Sequence, residues 1–417
     1  MSESSPSETP QPVEAPDPAE ASEGDSSSPL TSGPASRPRD ADSVTAAAEE
    51  SGVRPEPDAT EPAAPRGGTG PAPVQVGGLS FGFNLGKIEG QGEDSDPILR
   101  RGRELGLVAV FDGMGGAGGT VYETPDGPRS GAYLASRVAR DVVEERMVTL
   151  LDPEWDLDGD ASAQDLRRSV RAALQARLAE LKAPASGLRS RLLKALPTTM
   201  ALVALQRREP GGEGWACHVL WAGDSRAYVF SPHAGAQQLT RDDIRDQGDA
   251  MANLREDSVV SNAMSADTDF VVHHQKVDVT APFLVIAATD GCFGFVPSPM
   301  HFEHLVLAAL RDAPDTASWS RAVQATISEV TGDDAAMAVL GVGADHETFQ
   351  RLFAARTAEL EQRWIGPLDA LDADLRKRER ELEQAKQARR EQQARLWAAY
   401  KTDYERHLGP PTRQGTP

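Results

Sequence analysis

Four acidic clusters lie along the middle of the chain, and their residue types and spacing could do chemistry. Asp112 and Asp290 each follow an apolar run and precede a glycine. Glu93 and Asp94 lie in a glycine-flanked segment, and Asp333 stands just before the last apolar run. A carboxylate at a strand end can face a cleft, and a following glycine lets the backbone approach a ligand closely. One Asp-Gly pair alone is an ordinary turn, but its recurrence predicts a functional site.

The residue types in these clusters predict the ligand that they would hold. No grouping of histidines or cysteines accompanies the acids. Carboxylates and carbonyls are hard oxygen donors, which Mg²⁺ and Mn²⁺ favour in octahedral coordination. His301 and His304 have helical spacing but lack a third ligand, so we interpret them as helix surface and not as a zinc site. The sequence therefore predicts Mn²⁺ or Mg²⁺.

Apolar strands and amphipathic helices must position these acids. Apolar runs bounded by glycine or charged residues predict six buried strands, at Leu107 to Phe111, Met200 to Leu205, His218 to Trp221, Ala227 to Phe230, Phe283 to Ala288 and Ala336 to Val342. Helical spacing of apolar residues predicts four helices, at Gly131 to Leu150, Asp165 to Leu181, His301 to Arg311 and Ser318 to Val330. Strands in succession with helices in pairs predict an α+β fold, a sandwich with sheets inside and helix pairs outside.

Composition divides the 417-residue chain into three parts. Residues 1–77 contain no aromatic residue, and fourteen acidic residues against four arginines give them a charge of about −10. Such a segment buries too little apolar surface to offset its ordering entropy, so we predict a disordered tail. Residues 78–344 are predicted to form one domain, and residues 345–417 a charged helical extension.

Two interpretations of the helical extension remain open. A seven-residue spacing relates four of its leucines, which are Leu368, Leu375, Leu382 and Leu396, although Arg389 interrupts the series. This spacing is typical of a short coiled coil or docking helix, through which the chain could associate with itself or with another protein. A helical hairpin would explain the segment equally well if it packed three side chains onto the domain, namely Phe353, Leu360 and Trp364. Gly366 and Pro367 are the predicted bend or helix start.

Charge and hydropathy exclude several classes of partner. The net charge of −21 argues against nucleic acid, because binding a polyphosphate needs clustered Lys and Arg. No stretch approaches the roughly 20 apolar residues of a membrane span, and no basic-then-apolar signal pattern begins the chain. Only two cysteines occur, Cys217 and Cys292, which indicates reduced thiols. We therefore predict a cytoplasmic protein without nucleic-acid or membrane partners.

Six short motifs occur in order along residues 78–344. They are Glu93-Asp94-Ser95, Val110-Phe111-Asp112-Gly113-Met114-Gly115-Gly116, Ala222-Gly223-Asp224-Ser225-Arg226-Ala227-Tyr228, Leu239-Thr240-Arg241-Asp242, Ala288-Thr289-Asp290-Gly291 and Asp333-Asp334. One of these motifs alone would be weak evidence, but the ordered set resembles the protein phosphatase 2C family, as found in bacteria. The resemblance implies a central sandwich of two antiparallel sheets flanked by helix pairs. It also implies metal-dependent hydrolysis of phosphoserine and phosphothreonine in proteins that a serine/threonine kinase has phosphorylated.

The same resemblance implies roles for individual residues. Asp112 would bridge two metal ions, with Glu93 and the Gly113 carbonyl completing one site. Asp290 and Asp333 would complete the other site, and Asp94 would orient a metal-bound water. Asp224 would join Asp290 around a third, weaker ion. Two ions about 4 Å apart would acidify a water for in-line attack on a phosphomonoester, which needs no protein nucleophile.

The chain departs from the family pattern at several positions. Many members carry an arginine that holds the substrate phosphate four residues before the Glu-Asp pair, where this chain has Glu89. Lys87 is the candidate for that role. Met114 replaces the histidine of eukaryotic members, so a metal-bound water or another acid would have to protonate the leaving group. Pro197 stands where a glycine usually precedes the threonine-rich strand start, and the region 242–265 is shorter and more acidic than usual.

These departures leave an alternative function open. A pseudophosphatase would keep the fold and act as a phosphoprotein-binding scaffold through its C-terminal helices. The retained acids favour an enzyme, because a group of buried carboxylates repel one another without a cation. A purely structural coiled-coil protein would leave the Asp-Gly strand ends unexplained.

Overall fold

The computed structural model describes residues 79–88, 90, 92–154, 156–181, 194–245, 248–254 and 259–409. The chain divides into two units, residues 1–68 and 69–417, and every described residue belongs to the second. The predicted acidic tail at residues 1–77 and the substituted position Glu89 lie outside the described residues.

Apolar runs form the central strands of two antiparallel sheets, because these strands are covered on both faces. The first sheet has the order β1 (Ser80–Leu85), β12 (Ala335–Val342), β11 (Phe283–Ala288), β8 (Arg226–Ser231) and β9 (Gly235–Gln238). The second has the order β10 (His273–Thr280), β7 (Gly214–Ala222), β6 (Met200–Arg207), β3 (Leu105–Val110) and β2 (Ile98–Arg101). A separate hairpin consists of β4 (Val121–Thr124) and β5 (Gly127–Ser130). Every residue of β11 and β12 is buried.

Eight α-helices accompany the sheets in the part of the chain that the structure describes. In chain order they are α1 (Gly115–Gly118), α2 (Gly131–Leu150), α3 (Gly159–Glu180), α4 (Asp290–Phe293), α5 (Pro299–Asp312), α6 (Thr316–Val330), α7 (His346–Glu359) and α8 (Gly366–Tyr404), with a π-helical turn at Leu360–Ile365. A Ser or Asp side chain accepts a hydrogen bond from the first turn of five of them, at Ser130, Asp158, Ser298, Asp315 and Asp345. Such N-caps fix where each helix begins.

Three apolar layers hold these elements together. Inward side chains of the two sheets meet between them, among them Val108, Val203, Val219 and Val285. Helices α2 and α3 cover the outer face of the second sheet, and α5, α6 and α7 cover that of the first. The predicted α+β sandwich with helix pairs outside is therefore confirmed.

The C-terminal extension has two different parts. Phe353 of α7 and Leu360 of the π-helical turn are buried in the layer against the first sheet, whereas Trp364 is 37% exposed. Helix α8 begins at Gly366 and contains no buried residue among its 39. Among the described residues, no helix is both long and apolar enough to cross a membrane.

Candidate active site

Asp94 lies where the ends of the two sheets meet. It is 1% exposed, and its Oδ1 accepts a hydrogen bond of 3.4 Å from the Gly113 backbone N–H, just beyond β3. Its Oδ2 accepts one of 2.9 Å from the Thr289 hydroxyl, just beyond β11. Burial raises the pKa of Asp94 to about 8, although the Thr289 hydrogen bond opposes that shift. Two fixed donors thus hold the carboxylate in one orientation.

Asp112 is the acid around which the others gather. Its backbone carbonyl accepts hydrogen bonds of 2.6 Å from the Thr198 hydroxyl and 2.9 Å from the Thr199 N–H, which fix the turn after β3. Burial raises the pKa of Asp112 well above its ordinary value, and repulsion from neighbouring carboxylates adds to the shift, first from Asp290 and then from Asp94, Asp224 and Asp333. The ionisation of Asp112 is therefore linked to that of the four other acids.

Asp224 and Asp290 line a common cavity of about 150 Å³. Burial and, to a smaller extent, repulsion from Asp290 raise the pKa of Asp224 to about 8. Burial and, to a smaller extent, repulsion from Asp333 raise the pKa of Asp290 to about 6. The Asp224 Oδ1 atom is buried without a hydrogen-bond partner. An unpartnered buried carboxylate oxygen is costly unless a cation meets it.

The glycine before Asp224 is required by the backbone. Gly223 has a φ of 104°, which side-chain-bearing residues rarely adopt. A Cβ added there would also lie 2.5 Å from the Cβ of Thr199. This close approach places the residue before Asp224 against Thr199, one of the two threonines that support Asp112.

Glu93 lies beside the start of α2. Its Oε1 accepts a hydrogen bond from the Ser130 hydroxyl, which also caps α2. Burial raises the pKa of Glu93, and repulsion from Asp334 and Asp333 adds to the effect. A Cβ added at Gly115 would collide with the Glu93 carboxylate. The second glycine of the Asp-Gly-Met-Gly-Gly motif therefore makes room for this side chain.

The two adjacent acids before β12 have different environments. Asp333 is exposed, and its carboxylate accepts a hydrogen bond of 2.8 Å from the Asp334 N–H. The Asp334 carboxylate instead binds backbone N–H groups at both ends of the loop before β2, that of Lys87 at 2.7 Å and that of Glu93 at 2.5 Å. Asp334 holds this loop in place, a function that the sequence analysis did not assign. The Lys87 side chain is exposed.

Sequence analysis also missed an arginine beside the same loop. Arg129, at the end of β5, donates a hydrogen bond of 2.9 Å to the Gly90 carbonyl, and its guanidinium lies 4.5 Å from the centre of the Tyr133 ring. Arg137 donates to the Gly92 and Glu93 carbonyls, each at 3.2 Å. The β4–β5 hairpin therefore brings a cation to this loop from a part of the chain that lies outside the residues just before Glu93.

A buried ion pair closes the far wall of the acidic cavity. Arg226 donates to both carboxylate oxygens of Asp242, from Nε at 2.9 Å and from Nη2 at 2.6 Å. The Arg226 guanidinium also lies 4.3 Å from the centre of the Phe293 ring. Burial and repulsion from neighbouring carboxylates outweigh the lowering effect of Arg226 on the pKa of Asp224 and of Asp290.

The donor chemistry fits a divalent cation. Among the described residues, no three His, Cys, Asp or Glu side chains already converge as a ready-made metal-binding group. The interacting groups are nevertheless all carboxylates, the oxygen donors that Mg²⁺ and Mn²⁺ prefer. A cation would relieve their mutual repulsion and would satisfy the orphaned Asp224 oxygen.

No protein-family model and no curated protein matches this chain. Solved structures do resemble it. A bacterial serine phosphatase shares 14% identity over 64% of this chain and 98% of its own, with a TM-score of 0.47. The Mycobacterium tuberculosis serine/threonine phosphatase PstP/Ppp shares 19% identity over 64% and 98%, with a TM-score of 0.43. The PPM Ser-Thr phosphatase MsPP from Mycobacterium smegmatis shares 15% identity over 64% and 100%, with a TM-score of 0.42. Identities this low leave the activity to be argued from the chain's own residues.

Proposed function

We propose that this protein is a metal-dependent serine/threonine protein phosphatase of the protein phosphatase 2C type. The observation that supports the proposal most strongly is the group of interacting carboxylates Asp94, Asp112, Asp224 and Asp290, gathered at strand ends from both sheets. Burial raises the pKa of each member. A protein that did no metal chemistry would have no evident compensation for this arrangement.

The proposed metal ligands follow the motif order. Asp112, Glu93 and the Gly113 carbonyl would hold one Mn²⁺ or Mg²⁺ ion, while Asp112, Asp290 and Asp333 would hold a second. Asp224 would share a third, weaker ion with Asp290. Bound divalent ions supply hydroxide near neutral pH and neutralise the charge on the phosphoryl oxygens. A solved complex of PstP with two manganese ions, from a chain 16% identical to this one, provides the precedent for two ions.

The protein's own groups orient the reaction. The Thr289 hydroxyl donates to the Oδ2 atom of Asp94, and the Gly113 N–H donates to its Oδ1 atom. These two hydrogen bonds fix the direction of the remaining lone pairs on the carboxylate. Asp94 can therefore accept a proton from the attacking water. Asp334 holds the loop that carries Lys87 beside Glu93. Lys87 is our candidate for binding the substrate phosphate as a point charge, because its side chain is exposed.

The substrate class follows from the same proposal. A phosphorylated serine or threonine in a protein, placed there by a kinase, would present a dianion to the metal centre. A cytoplasmic location, and association through the exposed helix α8, are further parts of the proposal. The scaffold alternative gains no support from the described residues, because every acid of the motif set is retained.

The experiment is hydrolysis of a phosphothreonine peptide by the purified full-length chain. We expect phosphate release that depends on Mn²⁺, stops in EDTA and returns when Mn²⁺ is added in excess. Release of phosphate at the same rate in EDTA would contradict a metal mechanism. The absence of any hydrolysis with Mn²⁺ or Mg²⁺, while the chain still binds the phosphopeptide, would instead support the scaffold.

A further inference from the structure

A second and larger cavity adjoins the acidic one. It has a volume of about 320 Å³, compared with about 150 Å³ for the cavity that contains Asp224 and Asp290. Arg226, Leu254 and Phe293 line both cavities. The two spaces are therefore neighbours that share these three residues as lining.

The larger cavity has an apolar lining. Its walls include Tyr228, Phe302, Pro299, Met300 and Ala236, from β8, β9 and the start of α5. A volume of about 300 Å³ and a lining of apolar and aromatic side chains are typical of sites that bind organic groups. The lining thus fits an apolar group and offers few polar partners.

The charged groups at its walls are already paired. Arg356 of α7 donates to both oxygens of the buried Glu303 carboxylate, from Nε at 2.7 Å and from Nη2 at 2.9 Å. Arg226 is paired with Asp242 in the same bidentate way. Because each guanidinium is satisfied by a carboxylate, the cavity has no free charge to attract an ionic group.

A fixed segment forms another wall of the cavity. Ala250 and Leu254 contribute their side chains from the described segment 248–254. Asn253 Nδ2 donates a hydrogen bond of 3.0 Å to Asp242, so the segment is tied to the buried ion pair beside the acids. The cavity wall and the acidic centre are thus joined through Asp242.

We propose that this cavity binds an apolar side chain of the substrate close in sequence to the phosphorylated residue. The inference rests on the proposed phosphatase function and adds a sequence preference to it. An extended peptide advances about 3.3 to 3.6 Å per residue, so a side chain one to three positions from the phosphorylated residue lies about 3 to 11 Å along the chain from it, which suits an adjoining cavity. The polypeptide would cross Phe293 and Leu254, with phosphate on one side and an apolar side chain on the other.

Phosphothreonine peptides test the proposal. In each peptide, one position within three residues of the phosphothreonine carries either Leu or Gly, and all other positions are constant. We expect one position at which Leu gives about 10-fold or higher kcat/KM than Gly, since full burial of a Leu side chain supports discrimination of about 10- to 150-fold. KM should carry most of the difference, because the contact exists before the transition state is reached.

Filling the cavity should remove that preference. Ala236→Phe adds a ring to the lining from β9, and Ala250→Phe does so from the opposite segment. In either variant, the Leu-to-Gly ratio of kcat/KM should fall toward one. Ala234→Phe is the matched control, because Ala234 is exposed in the same β8–β9 hairpin and does not line the cavity. The Leu-to-Gly ratio of this variant should equal that of the wild type. Thermal unfolding of each variant establishes that it is folded.

The possible outcomes separate this inference from the function on which it rests. A wild-type enzyme that hydrolyses all peptides with no preference at any position would overturn the cavity assignment and leave the phosphatase function standing. So would a Leu preference that survives unchanged in folded Ala236→Phe and Ala250→Phe. Failure to hydrolyse any of the peptides with Mn²⁺ would overturn the phosphatase function, and this inference with it.

Discussion

Thr289 and Asp94 are 195 positions apart in sequence, and a hydrogen bond of 2.9 Å joins them. The Thr289 hydroxyl also accepts a hydrogen bond of 2.8 Å from the Ala336 N–H of β12. One hydroxyl therefore connects the first sheet to the acid that precedes β2 of the second. The orientation of Asp94 depends on this connection between the sheets.

Thr289→Val tests the role of that hydroxyl. The substitution keeps the shape of the side chain but removes the donor to Asp94 and leaves the Ala336 N–H without its acceptor. We expect kcat for a phosphothreonine peptide to fall about 10- to 100-fold with a smaller change in KM, because loss of a hydrogen bond to a charged group costs about 1.5 to 3 kcal/mol. Thr289→Ser retains the hydroxyl and should keep most of the activity. Equal kcat in the Val and wild-type proteins would show that Asp94 needs no orientation by Thr289.

The metal-free protein should become less stable as the pH rises. Burial raises the pKa of Asp94 and Asp224 to about 8 and that of Asp290 to about 6 from a usual value of 3.8. A raised carboxyl pKa contributes stability that is complete below the unfolded pKa and is lost as the pH rises through the folded one. In EDTA, Tm should therefore fall by several degrees between pH 5.5 and pH 8.5. Saturating Mn²⁺ should reverse the trend, since cations bind the ionised acids.

A variant isolates these carboxylates from other titrating groups. Burial lowers the pKa of His218 and His301, and those histidines contribute stability in the opposite direction over this range. Asp112→Asn removes one of the repelling charges and leaves both histidines in place, so its Tm in EDTA should fall less than that of the wild type. If both proteins gave the same pH profile in EDTA, the acids would not be the source of the trend.

Two truncations should separate the parts of the C-terminal extension. A chain that ends at Ile365 loses α8, which has no buried residue, so Tm and activity on a phosphopeptide should be nearly unchanged. A chain that ends at Asp345 also loses Phe349 and Phe353, which are 0% and 1% exposed in the layer over the first sheet. Removal of one such aromatic side chain costs about 3 to 5 kcal/mol, so the shorter chain should unfold or aggregate. A large loss of Tm on removing α8 alone would contradict the packing described.

The central strands and the long helices were predictable from sequence because their apolar residues report burial directly. The bounds predicted for β11 and for α2 agree with the structure. Strand β10 was missed because its residues alternate between half-buried and exposed, with only Val277 and Val279 packed against the core. The start of α3 at Gly159 was placed too late, since its N-cap Asp158 precedes the first apolar repeat.

The acids of the proposed site could be selected from the sequence because each belongs to a motif, but their environments could not be predicted. Asp333 and Asp334 are identical in type and adjacent, yet one is exposed while the other holds the loop before β2. The direction of the backbone determines where each of these two side chains lies, and the residue types alone do not give that direction. Arg129 reaches Gly90 only because the β4–β5 hairpin returns there, which is a long-range contact that no local pattern predicts.

Manganese binding by Asp112→Asn, measured together with its activity, tests the metal centre most directly. Equilibrium dialysis gives the number of Mn²⁺ ions bound per chain, and phosphate release from a phosphothreonine peptide is followed on the same samples. We predict at least two ions bound to the wild type, fewer than two bound tightly to the folded variant, and a fall in kcat of about 1,000-fold or more, because Asp112 would serve both sites. An Asp112→Asn protein that binds as many Mn²⁺ ions as the wild type and retains its turnover would contradict the account.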